Sequence, residues 1–178
     1  MTDYEAVVYD LDGTLVQLNV DWDQARRDLA AKLRVRGIDV EDATLWTLFE
    51  RGRERGLTPI VENTLEEHER EGARTSDKLP LARELPRDEG VGVCSLNSES
   101  ACRIALETHG IDGIGAVVGR DTVATEKPDP EPLLETVRRL GGTPSEAVFI
   151  GDSDRDEVAA NRAGIDYVDV SEWCRAYR

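Results

Sequence analysis

The chain is 178 residues long, 39% hydrophobic and 33% charged, with 22 basic and 37 acidic residues that leave a formal net charge of -15. That length suits one domain of ordinary size, or a domain with a modest insertion, and is enough to bury a sizeable core. The acidic balance argues against a nucleic-acid partner, since phosphate backbones need Lys and Arg, and no stretch approaches the roughly eighteen apolar residues of a membrane span.

The first residues lack a basic stretch followed by an apolar run, so no secretory signal is expected and the chain reads as soluble and cytoplasmic. Cys94, Cys102 and Cys174 are odd in number and have no Cys-x-x-Cys spacing. They read as small hydrophobes in a reducing compartment, without disulfide or zinc roles. Lys32, Lys78 and Lys127 are the only lysines. A surface rich in carboxylates and poor in lysine is similar to that of proteins from salt-loving archaea, where salt screens the self-repulsion.

The first strand is expected at 6–11, within the stretch "AVVYDLDGTLV" of residues 6–16. Residues two apart in a strand share a face, so Asp10 and Asp12 aim at one spot where the strand ends. Like charges that close repel, so either a cation sits between them or one holds a proton. Asp-Gly is also an ordinary turn pair, and by itself the stretch leaves a chemical role open.

Residues 18–79 hold no convincing strand and read as three helices. Trp22, Ala25, Leu29 and Leu33 mark the first, Leu45, Leu48 and Phe49 the second, and Thr58-Pro59 opens a third that is mostly charged. This predicts a small helical unit over 17–79, inserted between 1–16 and 80–178. Arg51, Arg53 and Arg55 crowd together; cations favoured near a helix C-terminus explain them, and a landing place for an anion is the alternative. His68 reads as a solvated residue of the charged helix and His109 as a helix-end residue. Trp46 and His68 join the three arginines as residues that could face a site.

From residue 80 onward, strands at 91–95, 116–119, 147–151 and 166–170 alternate with helices at about 98–109, 129–140 and 154–163. The strands are near-continuous and apolar, as in a parallel sheet covered on both faces. Asp129-Pro130 reads as an N-cap and first-turn pair, and Gly110, Gly141 and Gly164 as helix stops. The rhythm predicts an α/β fold, a Rossmann-like doubly wound parallel sheet with right-handed crossovers.

Ligands bind such sheets outside the carboxyl ends of the strands. The first strand delivers Asp10, Asp12 and Thr14 there, and the second Ser95, Leu96 and Asn97. "GRDTVATEKPDP" then brings Lys127, and "GDSDRD" brings Asp152 and Asp156. Four acids, a hydroxyl and a lysine converge on one rim. Oxygen donors of this kind suit magnesium, whereas zinc prefers His and Cys.

Asp-Leu-Asp-Gly-Thr at 10–14, strand-end Ser95, Lys127-Pro128 and Gly151-Asp152 with Asp156 resemble, in order, the four motifs of the haloacid dehalogenase-like superfamily, nearest its phosphatase branch. The resemblance covers residues 1–16 and 80–178, and the helical insertion lies where that family places a cap. It implies a magnesium-dependent phosphatase acting on a small phosphorylated metabolite. Asp10 would be the nucleophile, Asp12 the general acid and base, and Lys127 a counter-charge that also binds phosphate. Thr14 would fix Asp12 in place and, with Ser95 and Asn97, belong to the phosphate-binding set. Asp10, Asp12 (through its carbonyl) and Asp152 would hold magnesium, with Asp156 supporting the metal or Lys127.

One departure from the family pattern is Leu96, which separates Ser95 from Asn97, whereas many relatives have Asn directly after the Ser or Thr. The alternatives are a phosphomutase of the same fold and a non-catalytic regulatory protein that binds phosphate and magnesium. Dehalogenation fits less well, since it needs neither Asp12 nor a metal. Gly113, Gly115 and Gly119 form no dinucleotide fingerprint. The substrate and the oligomeric state stay open from sequence.

Overall fold

A computed structural model describes residues 4–176. Five parallel strands form the central sheet: β1 (Ala6–Tyr9), β4 (Gly90–Cys94), β5 (Ile114–Val118), β6 (Ala147–Gly151) and β7 (Asp166–Asp169), in the order β5-β4-β1-β6-β7. The remaining two strands, β2 (Val16–Gln17) and β3 (Asp77–Lys78), pair antiparallel as a separate two-residue ladder. This is the expected α/β architecture, with the earliest strand at the centre.

Alternation along the strands sorts the core into two layers. Val7, Tyr9, Val91, Val93, Val148 and Ile150 face one side, where Ala101, Cys102, Ala105 and Leu106 of α4 (Glu99–Thr108) and Trp173 of α7 (Val170–Ala176) cover them. Ala6, Val8, Ala147 and Phe149 face the other, beneath Leu133 and Val137 of α5 (Glu131–Arg139) and Ala160 of α6 (Asp154–Ala163). Because both faces are covered, the strands have no polar side, which is why they read as continuous apolar runs.

The insertion consists of α1 (Trp22–Arg34), α2 (Leu45–Glu54) and α3 (Thr58–Arg74). Leu29, Leu33, Leu48, Phe49, Val61 and Leu65 form a hydrophobic cluster of their own between these helices. The stripe of α3 continues down to Ala73 and packs against α4, so the insertion is also seated on the sheet layer.

Several boundaries depart from expectation for local reasons. β1 stops at Tyr9, short of residue 11, because the carbonyl of Leu11 accepts from the amides of Thr14, Leu15 and Val16 and folds the chain into a tight turn. β5 runs Ile114–Val118, ending one residue before the expected Gly119. The helix expected from Asp129 begins at Glu131; Asp129 Oδ1 accepts from the Glu131 amide, so it caps from one position further out. The β2-β3 ladder was not expected at all. Two-residue strands carry no periodicity, and this one exists because the two chain segments entering and leaving the insertion run side by side.

Candidate active site

Register gathers the predicted residues. Tyr9 pairs with Val93 on one side and Ile150 on the other, so Asp10, Ser95 and Asp152 leave adjacent strands at one rim. Lys127 enters from the segment before α5 and is almost wholly buried. Its Nζ donates to Asp10 Oδ1 at 3.0 Å, to Asp156 Oδ1 at 2.5 Å and to the Cys94 carbonyl at 3.1 Å. Burial disfavours the ammonium, but the Asp10 and Asp156 carboxylates outweigh it and hold the lysine well above its ordinary range.

Asp156 is fully buried and both its oxygens are engaged. Oδ1 takes Lys127, while Oδ2 accepts from Ser153 Oγ at 2.7 Å and the Ser153 amide at 3.2 Å, in a capping box that starts α6. Asp10 has no such saturation. Burial pushes its carboxyl up to about 7 against the pull of Lys127, with Asp156 adding to the rise. Asp152 is exposed and is raised by partial burial and by the Asp156 charge.

Asp10, Asp152 and Asp156 present oxygens that all lie within 4.8 Å of one another. Three carboxylates against one lysine leave an excess of negative charge, and every donor is oxygen, so the donor set fits a small hard dication. Gly13 belongs to this geometry: its φ is +85°, and a Cβ there would sit 2.1 Å from Asp152 Oδ2. A side chain at residue 13 would push Asp152 out of the cluster.

Asp12 is half-buried, and its Oδ1 accepts from the Leu18 amide at 2.8 Å and from Gln17 Nε2 at 3.2 Å. Burial raises its pKa, the Leu18 bond opposes, and Asp152 and Glu69 add to the rise. Thr14 does not fix it, contrary to expectation: Thr14 Oγ1 is buried and has no hydrogen-bond partner among the described residues. The chain leading into the insertion supplies the hold instead. Ser95 and Asn97 are buried beside each other; Ser95 Oγ donates to Asn97 Oδ1 and accepts from the Asn97 amide, each at 3.2 Å.

A sequence model described as haloacid dehalogenase-like hydrolase matches residues 83–170, a segment that carries Ser95, Lys127, Asp152 and Asp156. The chain belongs to the haloacid dehalogenase-like hydrolase family. Phosphoglycolate phosphatase of Rhodospirillum rubrum is 42% identical over 82 residues, 46% of this chain and 34% of that enzyme. The Aquifex aeolicus enzyme of the same name is 27% identical over 177 aligned residues, covering 89% of this chain and 80% of the relative. A solved haloacid dehalogenase-superfamily hydrolase of subfamily IA from Geobacter sulfurreducens superposes with a TM-score of 0.62 at 26% identity, covering 93% of this chain and 89% of that one. The first of these matches spans about a third of the relative, whereas the other two run through the insertion as well as the sheet.

The site also contains residues that the sequence reading of this haloacid dehalogenase-like chain passed over. Glu69 of α3 and Arg120, which follows β5, are both buried and paired with each other. Arg120 Nη1 and Nη2 donate to Glu69 Oε1 and Oε2 at 2.5 and 3.2 Å, and Nε donates to Glu62 Oε2 at 3.0 Å. The signal was present in the chain: Val61, Leu65, Glu69 and Ala73 are spaced four apart, which places Glu69 on the buried stripe of α3. His68, next to it, pairs with Asp28 within the insertion at 2.9 Å. Arg51 and Arg53 are engaged by Asp39 and Glu126.

A cleft of about 490 Å³ opens between α2 and the segment carrying Lys127. Trp46, Phe49, Glu126, Lys127 and Arg155 line it, and the Arg155 guanidinium lies 5.7 Å from the Trp46 ring centre. No described helix is long and apolar enough to cross a membrane.

Proposed function

We propose that this protein is a magnesium-dependent phosphatase that hydrolyses a small phosphomonoester through an aspartyl-phosphate on Asp10. The observation that carries the reading is Lys127 Nζ bridging Asp10 and Asp156, with Asp152 alongside. In this reading residues 1–16 and 80–178 form the catalytic core, and 17–79 form a cap that selects the substrate and excludes water. The three unpaired cysteines suit a reducing, cytoplasmic setting.

Asp10 attacks phosphorus as the bond to the leaving oxygen breaks, and Asp12 gives that oxygen its proton. Asp12 then takes a proton from water, whose oxygen attacks phosphorus and releases Asp10 as a carboxylate. The raised pKa of Asp12 suits a group that must carry a proton first and accept one later. Lys127 offsets charge on Asp10 and the transferring group, while Asp156, saturated by Lys127 and Ser153, holds that lysine in place. Asp10, Asp152 and the Asp12 carbonyl would hold magnesium, which supplies positive charge against the phosphoryl oxygens and the carboxylates. Ser95 and the amide of Leu96 meet the phosphoryl group at the end of β4, with Asn97 holding the Ser95 hydroxyl.

The names of the relatives make 2-phosphoglycolate the first substrate to try. A panel of phosphorylated metabolites assayed with magnesium, at low and high salt, tests the reading. Release of inorganic phosphate from at least one member, lost on chelation and in Asp10→Asn, is the expected result. An isomerised hexose phosphate with no phosphate released would assign a mutase instead, and binding without turnover a regulatory protein.

A further inference from the structure

The loop between β4 and α4, residues 95–98, is held from two directions by groups that do not belong to it. From the sheet side, Arg120 Nη1 donates to the Leu96 carbonyl at 2.8 Å, and the Arg120 amide donates to the Asn97 carbonyl at 2.9 Å. From the insertion, Glu69 Oε2 accepts from the Ser98 amide at 2.9 Å. Glu69 and Arg120 are in turn joined by the bidentate pair, so the three contacts form one closed circuit through the loop, the sheet edge and α3.

This circuit uses the carbonyls of the loop and one amide, that of Ser98 at the start of α4. Ser95 Oγ uses the Asn97 amide. Among the described residues the Leu96 amide donates to nothing, although its neighbours on both sides are fully engaged. Gly119 allows the arrangement, since a Cβ there would lie 2.2 Å from the Glu99 amide nitrogen and force Arg120 away from the loop.

We infer that Glu69 and Arg120 are positioning residues for phosphate recognition: together they clamp the 95–98 loop so that the Leu96 amide and the Ser95 hydroxyl stay presented to the phosphoryl group. The helical insertion thereby completes the phosphate-binding loop of the core, in addition to covering it. A planar, five-donor guanidinium is needed because it must meet both oxygens of Glu69 and the Leu96 carbonyl at once, which an ammonium cannot do in a fixed plane.

This inference rests on the phosphatase reading for its purpose, and its test separates the two. Glu62 is the internal control: it binds the same Arg120 at Nε but, among the described residues, makes no hydrogen bond with the loop. A role confined to fastening the insertion would make Glu62→Gln and Glu69→Gln equivalent. The expected result is that Glu69→Gln weakens inorganic phosphate binding and raises KM about tenfold, the loss of one charged hydrogen-bonding partner, with kcat less affected. Glu62→Gln should leave both unchanged, and Arg120→Lys should behave like Glu69→Gln. Should Glu69→Gln not fold, Glu69→Asp, which keeps the charge but withdraws it from the Ser98 amide, is expected to show the same loss.

Amide hydrogen exchange at Leu96, Asn97 and Ser98 gives a readout independent of catalysis. Faster exchange in the Glu69 variant than in Glu62→Gln supports the clamp even if the wild-type protein binds no phosphate, an outcome that would discard only the phosphatase reading. Equal effects of the Glu62 and Glu69 variants on exchange and on phosphate binding, or no effect of either, overturn the inference.

Discussion

At the residue scale, the centre is a contest over charge. One buried lysine faces Asp10 and Asp156, and Asp156 is already satisfied by Ser153, so in metal-free protein the spare proton resides on Asp10. Its folded pKa, about 7, lies above the unfolded value of about 3.9. The folded state therefore binds more protons than the unfolded state between those values, and this group's contribution to stability is lost as pH rises through about 7. Urea unfolding in chelator should show that fall between acid and neutral pH, and Asp10→Asn should remove it; an unchanged pH slope in the variant would contradict the assignment. In the proposed mechanism each half of the reaction requires a proton transfer, so Asp12→Asn should slow both by about 10²- to 10⁴-fold. Rapid-quench measurement of phosphoenzyme formation and decay checks the two halves separately.

At the element scale, the turn after β1 and the two-stranded ladder matter more than their size suggests. The Leu11-centred turn carries Gly13 past Asp152, and the chain entering the insertion returns Leu18 and Gln17 to Asp12. Orientation of Asp12 is thus coupled to the segment that leads into α1. The insertion has its own apolar cluster, distinct from those of the sheet. Leu33→Ala, at a fully buried position of that cluster, should cost about 2–5 kcal/mol. Hydrogen exchange is expected to accelerate across α1, α2 and α3 while β1, β4 and β6 keep their protection. Uniform loss of protection would show that insertion and sheet unfold as one unit.

At the scale of the whole molecule, a charge of -15 on 178 residues sets a background of self-repulsion that salt screens. We propose that the chain is adapted to high salt, and its denaturation midpoint should rise from low to molar KCl. Curves that superimpose across that range would remove the proposal. The repulsion is not confined to the surface, because the rim of the sheet concentrates Asp10, Asp12, Asp152 and Asp156 in a small volume. A bound dication relieves it there, so magnesium should raise the melting temperature of the wild type more than that of Asp152→Asn.

Periodicity and spacing determined the parallel sheet, the three helices of the insertion and the rim where Asp10, Ser95, Lys127 and Asp152 assemble, because strand and helix periods and strand-end motifs are local properties of the chain. Tertiary structure alone decided that Lys127 reaches Asp156, that Leu18 and Gln17 rather than Thr14 hold Asp12, and that Glu69 meets Arg120. Those contacts join residues up to 51 positions apart. The Glu69–Arg120 pairing is selected by how α3 seats against α4 and the end of β5, a packing outcome that no window of sequence contains.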